Sequence, residues 1–304
     1  MSGDSPEWKI GCALLLAAVC AAPAGAQGRA RPPAARDVVV LAAGDIGDCN
    51  FPDDKATAAL LDSIPGEVLA LGDEAYPHGS AYDFGHCYEP TWGRHRARTR
   101  PTPGNHEYTD PAASAYFDYF GAAAGPRGKG WYSFDLGAWH LVALNSEVDA
   151  SAGSAQERWL RDDLRAHPAR CVLAFWHRAR FSSGRHGSTA AVAPLWRDLQ
   201  AAGAELVVQG HDHDYERFDP LDADGRRDRH GPRSFVVGTG GAQRHGFGAP
   251  VPGSVVRTRD HAGVLKLTLR ARSYAWEFIP VGGPRPADHG EGTCRQAAVR
   301  ERAG

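Results

Sequence analysis

Hydrophobic and polar positions follow two rhythms along the chain. Val38 to Ala43 is an unbroken apolar run that stops at Gly44-Asp45, and Val68 to Leu71 is a second that stops at Gly72-Asp73. Short continuous runs of this kind predict strands buried on both faces. Cys171 to Trp176 repeats the pattern and ends at His177, and Leu206 to Val208 ends near Gly210-His211. Between these runs, Asp54 to Ser63 and Ala190 to Ala201 predict helices. A third helix is predicted from the capping-box signature Ser154-Ala-Gln-Glu157 through about His167. Tyr132 to Asn145 predicts two strands joined around Gly137. Ser234 to Val237, Val264 to Leu269 and Tyr274 to Ile279 predict antiparallel strands, the last two as a hairpin about Ala271-Arg272. Strands and helices alternate with no repeat or low-complexity linker, which predicts one α/β domain over residues 37–282. Residues 283–304 read as a C-terminal extension.

The N-terminal segment stands outside that pattern. Trp8-Lys9 precedes an apolar run from Ile10 to Ala22, and Ala24-Gly25-Ala26 follows as a small-residue processing site. The run is shorter than the ~20 residues a membrane-spanning helix needs. It predicts a secretory signal peptide over 1–26, then a Pro/Ala/Arg-rich lead-in over 27–36, and places the product outside the cell or in the periplasm. An uncleaved anchor is the rival reading. Lipidation at Cys20 is disfavoured by Val19, which is larger than the residue expected before a lipidated cysteine. No later run is long enough to span a membrane.

Composition narrows the function classes. Hydrophobic residues make up 42% and the net charge is −2, which excludes a disordered chain. With 34 Lys+Arg against 36 Asp+Glu there is no basic excess, so no nucleic-acid-binding surface is expected.

The chemistry gathers where the apolar runs end. Asp45, Asp73, His177, His211 and His213 all follow strand-like segments, and a loop adds Asn105 and His106. In open α/β sheets, ligands collect outside the carboxyl ends of strands. Oxygen and nitrogen donors converging from several strands form a metal-site constellation. Singly each is weak, since an Asp after a strand commonly caps a turn. His-x-His places two imidazoles on one side of an extended segment. The ordered set carries far more information than its members.

Gly44-Asp45-Ile46-Gly47, Gly72-Asp73-Glu74-Ala75-Tyr76, Gly104-Asn105-His106-Glu107, Ala174-Phe175-Trp176-His177 and Gly210-His211-Asp212-His213 resemble, in order, the five motifs of the calcineurin-like metallophosphoesterases. The resemblance is narrower still to the purple acid phosphatase branch. Many other branches begin with Asp-x-His, whereas this chain has Asp45-Ile46-Gly47 and supplies Tyr76 three residues after Asp73. Ala174, where the branch usually has Val, is a departure inside a strand.

That resemblance implies a four-layer α-β-β-α sandwich of two packed mixed sheets, with a dinuclear metal site at the strand carboxyl ends. The short lead-in leaves no room for the N-terminal β-sandwich of large plant members. By motif, the first ion takes Asp45, Asp73, Tyr76 and His213. The second shares Asp73 and adds Asn105, His177 and His211. A phenolate is a hard anionic donor, so Tyr76 implies Fe(III) at the first position, with Zn(II), Fe(II) or Mn(II) at the second. His106 is implied to assist the leaving group, with Glu107 holding its imidazole. His186, nine residues after His177 in a Gly/Ser loop, and His78, close after Tyr76, are candidate substrate-loop residues. Asp212, Asp214, Tyr215 and Arg217 are expected to form a local hydrogen-bond network, and the other histidines to pack or face solvent. The function implied is an exported dinuclear-metal phosphoesterase. It would cleave phosphate monoesters, small molecules, by metal-activated hydroxide. A phosphodiesterase or nucleotidase on the same scaffold is the alternative, and a non-catalytic metal- or phosphate-binding module a more remote one.

Of six cysteines, Cys12 and Cys20 would leave with the signal peptide. The remaining four, in an exported chain without C-x-x-C, read as two disulfides with three possible connectivities. Cys49–Cys87 is favoured because both follow strand-like segments that meet at the site. Cys171–Cys294 follows, tying down the C-terminal extension.

Overall fold

The two apolar runs that stop at Gly-Asp lie side by side as parallel strands. These are β1 (Val38–Ala43) and β2 (Glu67–Leu71), in register from Val40 opposite Glu67 to Ala43 opposite Ala70. Both Asp45 and Asp73 therefore leave the same edge. In this computed structural model the described residues are 37–168 and 171–295, with Met1, Gly3 and Ser5. Apart from those three positions, the signal peptide expected over 1–26, including Cys20, lies outside the described residues. So do the lead-in over 27–36 and residues 296–304 of the extension.

β3 (Thr99–Thr102) continues the parallel set beside β2. On the other side of β1 the chain returns late and antiparallel. β11 (Gly263–Leu269) and β12 (Ser273–Pro280) form the expected hairpin, and β13 (Asp288–Thr293) pairs on its outer edge. Part of the stretch after residue 282 thus builds a sheet edge. The second, seven-stranded sheet runs in the order β10-β8-β9-β7-β6-β5-β4. Its members are β4 (Tyr132–Leu136), β5 (Trp139–Ala143), β6 (Cys171–Arg178), β7 (Leu206–Gly210), β8 (Tyr215–Phe218), β9 (Arg233–Val237) and β10 (Ser254–Thr258). One expectation needs correction. β9 is antiparallel to β8 but parallel to β7, because β7 and β8 leave one strand's width between them and the chain turns back from β8 to fill it.

Strand periodicity separates two cores. Leu141, Leu173, Phe175, Leu206, Val208 and Phe235 face the first sheet. Their alternates Val142, Ala174, Trp176, Val207 and Val236 pack with Leu160, Leu195, Trp196 and Leu199. Those four come from helices α4 (Ala155–Ala166) and α5 (Ala193–Ala201). The first core also takes Leu60 and Leu61 from α1 (Asp53–Ser63), and Tyr116, Phe117 and Phe120 from α3 (Ser114–Phe120). A short α2 (Ala81–Asp83) has Ser80 and Asp83 in a reciprocal capping box. The cap of α4 is half of one. The Ser154 side chain accepts from Glu157 N, whereas Glu157 turns to Gly153 N at 3.1 Å.

Cys49 is bonded to Cys87, and Cys171 to Cys294. The second bridge ties the segment after β13 to the start of β6. Among the described residues no helix is long and apolar enough to cross a membrane.

Candidate metal centre

Three chain reversals at strand ends aim the donors inward. Asp45, Asp73 and His211 have φ of 59°, 50° and 73°, the left-handed region that non-glycine residues enter only when their surroundings over-determine it. Close approach demands glycine beside them. A Cβ on Gly72 would sit 2.7 Å from the His177 ring, and one on Gly104 would sit 2.2 Å from Asp73 Oδ1.

The Tyr76 hydroxyl lies 3.0 Å from Asp45 Oδ1, 3.2 Å from Asp73 Oδ2 and 3.2 Å from His213 Nε2. Across Asp73, His177 Nε2 stands 3.2 Å from Asp73 Oδ2, 3.2 Å from Asn105 Oδ1 and 3.1 Å from His211 Nδ1. Asp73 is the hinge between the two groups. Backbone carbonyls set which imidazole nitrogen points in. His177 Nδ1 is 2.8 Å from Leu71 O and His213 Nδ1 is 2.6 Å from Gln243 O, so both rings present Nε2 to the centre.

These residues fit a pair of cations. Asp45 and Asp73 are fully buried with the phenol between them, an arrangement that costs several kcal/mol per uncompensated charge. Burial opposes ionisation of His177, yet Asp73 and Asp45 push it up to about 10. Burial also opposes charge on His213, which Asp45 nevertheless holds above its usual value. His211 is pushed down to about 2 by burial and by the neighbouring His177. Burial and the two carboxylates push the Tyr76 phenol far above its ordinary range. Hard carboxylate, phenolate and amide oxygens with imidazole nitrogens suit transition-metal ions.

The calcineurin-like phosphoesterase family model matches residues 28–215. The chain belongs to that family. Within it, the chain is similar to purple acid phosphatase 18 of Arabidopsis thaliana, 28% identical over 232 residues, or 69% of this chain and 51% of that protein. Purple acid phosphatase 21 of the same plant is 29% identical over 239 residues, with the same coverage. The chain spans about half the length of these curated relatives. In fold it is similar to purple acid phosphatase PPD1 from yellow lupin (Lupinus luteus) seeds. The TM-score is 0.74 at 19% identity over 84% of this chain and 54% of that one. It is also similar to GAP50, the anchor in the inner membrane complex of Plasmodium. There the TM-score is 0.68 at 14% identity over 86% of this chain and 90% of that one. At these identities the structural likeness speaks for the fold.

All five family motifs therefore meet at one place, the floor of a pocket of about 250 Å³. It is lined by Asp73, Tyr76, Asn105, His106, His186, His211 and His213, together with Asp48, Phe51, Ala242, Gln243 and His245. His106 stands beside the donors, its ring 4.3 Å from that of Tyr76 and its Nδ1 2.6 Å from Pro77 O. His186 is exposed at the mouth, 4.4 Å ring to ring from His211. His78 is not brought there. It is exposed and is not among the lining residues, because its backbone N–H turns to Asp83 Oδ2.

The expected role of Glu107 needs correction. Its carboxylate is buried and accepts from the backbone N–H groups of Asp73 (2.9 Å), Glu74 (2.9 Å), Ala75 (3.3 Å) and Gly104 (2.8 Å). It knits two family motifs together, while the His106 imidazole is held by Pro77 instead. Tyr215 and Arg217 both bond Asp288 on β13, a long-range tie where a local network was expected.

Three neighbours carried no signal in the motifs. His245 stacks on His213 at 4.1 Å. Arg178 Nη1 lies 3.1 Å from His211 Nε2, and its Nε lies 2.9 Å from each oxygen of Glu147. Arg178 directly follows His177 at a strand end, and His245 lies in the loop after β9. The rule that ligands gather at strand carboxyl ends points to both.

Proposed function

We propose that this chain is an exported metal-dependent hydrolase of phosphate monoesters. Residues 37–282, with the edge strand β13 (Asp288–Thr293) added, would form its catalytic domain. Asp45, Asp73, Tyr76 and His213 would hold one ion, and Asp73, Asn105, His177 and His211 the other. The observation that carries the reading is the convergence of those seven side chains on one buried point beneath an open pocket. Tyr76 favours Fe(III) in the first position, and the imidazole and amide donors favour Zn(II), Fe(II) or Mn(II) in the second. When bound, such a pair supplies the positive charge that holds phosphate oxygens and makes water acidic enough to act as a nucleophile.

The chain's own residues would do the rest. With His106 Nδ1–H directed at Pro77 O, Nε2 is the atom left to face a bound ester. A proton held there stabilises charge developing on the leaving oxygen. His186 at the mouth is placed to donate to a phosphate oxygen from the side opposite the floor. The two disulfides support export, since such bonds persist in oxidising compartments.

Phosphodiesterase or nucleotidase activity is the competing outcome. Comparing kcat/KM for an aryl phosphate and a bis-aryl phosphate on metal-analysed protein decides between them. The monoester is expected to be preferred. A preference for the diester would reverse the assignment, and hydrolysis of neither with two ions bound would end it.

A further inference from the structure

His186 is an exposed side chain on a loop, yet it stands at one defined place. The reason lies in an acid between two of the site's histidines. Asp212 is fully buried, and its side chain points away from the pocket into the loop behind His186. It accepts from Ser182 Oγ at 2.5 Å, from His186 N at 2.7 Å and from Gly187 N at 3.2 Å. The loop folds so closely around this carboxylate that a Cβ on Gly184 would come 2.3 Å from Asp212 Cγ. A second buried acid, Glu216 on β8, fastens the same loop from below, taking Ser183 N at 2.7 Å and Ser183 Oγ at 2.6 Å. Glu216 grips the loop's first turn, while Asp212 alone of the two grips the residue that reaches the pocket.

We propose that Asp212 is a positioning residue for substrate binding: it fixes the 182–187 loop so that the His186 ring stands over His211 at the pocket mouth. The inference rests on the phosphoesterase reading given above. The Asp212 carboxylate bonds the loop alone and is not among the groups that line the pocket. Three charge-assisted hydrogen bonds replace the conformational freedom a Gly/Ser loop would otherwise keep. The imidazole is thereby ready when a phosphate arrives, and the cost of ordering it is met during folding and not during binding.

The test uses metal-loaded full-length protein and inorganic phosphate as the binding probe, alongside steady-state kinetics. His186→Ala, Asp212→Asn and Gly184→Ala are each expected to weaken phosphate binding about tenfold or more, the loss of one hydrogen bond to a charged group. In each, KM should rise more than kcat falls, with two ions retained per chain. In the His186→Ala background, adding Asp212→Asn or Gly184→Ala should weaken binding no further, since both act through the ring already removed. Additive losses in the double variants would overturn the proposal, as would unchanged phosphate affinity in His186→Ala. Should Asp212→Asn shed metal because it adjoins two donors, Gly184→Ala, which keeps the carboxylate and crowds it from the loop side, decides. Failure of the unaltered protein to bind phosphate or turn over any ester would strike at the phosphoesterase reading itself. That result is distinct from a wild-type enzyme whose loop variants behave normally.

Discussion

The Tyr76 hydroxyl sits 3.0 Å from Asp45 Oδ1, both buried at the meeting point of β1 and β2. Burial and the two nearby carboxylates hold the phenol far above its usual pKa, and a bound cation would favour the phenolate against both. Fe(III) bound there should produce a visible tyrosinate charge-transfer band. Tyr76→Phe should remove the band while the fold, read by far-UV circular dichroism, is kept. An iron-loaded protein with no such band would contradict the assignment of Tyr76.

His106 lies beside the donors without joining them, anchored through Nδ1 to Pro77 O. His106→Ala should retain two ions per chain yet lower kcat by about 10²–10⁴, the usual contribution of a general acid. The effect should shrink for aryl esters whose leaving groups are already acidic. Turnover unchanged with all leaving groups would remove His106 from the chemistry.

Glu107 satisfies four backbone N–H groups around Asp73 and Gly104. Truncation strands those buried donors, each worth about 1–3 kcal/mol. Glu107→Ala should therefore destabilise the protein by at least about 3 kcal/mol and weaken metal retention, measured by urea unfolding and metal analysis. Glu107→Gln, which keeps one acceptor oxygen, should fall between Ala and the native residue.

A third set of charges gives stability its own pH dependence. His140 on β5 is buried, with Nδ1 2.7 Å from Asp135 and Nε2 2.9 Å from Asp163, and its ring stacks on His167. Burial opposes its charge, but the Asp163 and Asp135 carboxylates raise its pKa above the ordinary 6.5. The stabilisation is therefore complete below about pH 6.5 and is lost as pH rises through the folded-state value. Urea midpoints of the native protein and His140→Gln should differ most near pH 5.5 and draw together as pH rises. A gap that widened with pH would show that the imidazole is held neutral.

How much of this was legible in the sequence depends on what each residue needed from the fold. Asp45 and Asp73 were legible because apolar runs announce parallel strands, and parallel strands deliver their next residues to one edge. The edge strand β13 was not, since its sequence, Asp-His-Gly-Glu-Gly-Thr, has no apolar alternation; its backbone ladder to β12 is joined by Asp288, which accepts from Tyr215, Arg217 and Trp276. His78 looked well placed by spacing, but Pro77 and Gly79 turn it away from the pocket. Asp212 sits inside a recognised motif, yet its task depends on a loop about 30 residues earlier in the chain. Adjacency suggested that Glu107 serves His106; the turn at that motif sends the two side chains in opposite directions.

Two ions held by Asp45, Asp73, Tyr76, Asn105, His177, His211 and His213 would make this chain a phosphate-ester hydrolase. Stripping the protein of metal, then titrating iron and a divalent ion back while following bound metal and aryl phosphate hydrolysis together, tests this. Turnover should appear only as the second ion binds and saturate at two per chain. Full turnover in the stripped protein, or none with two ions bound, would contradict it.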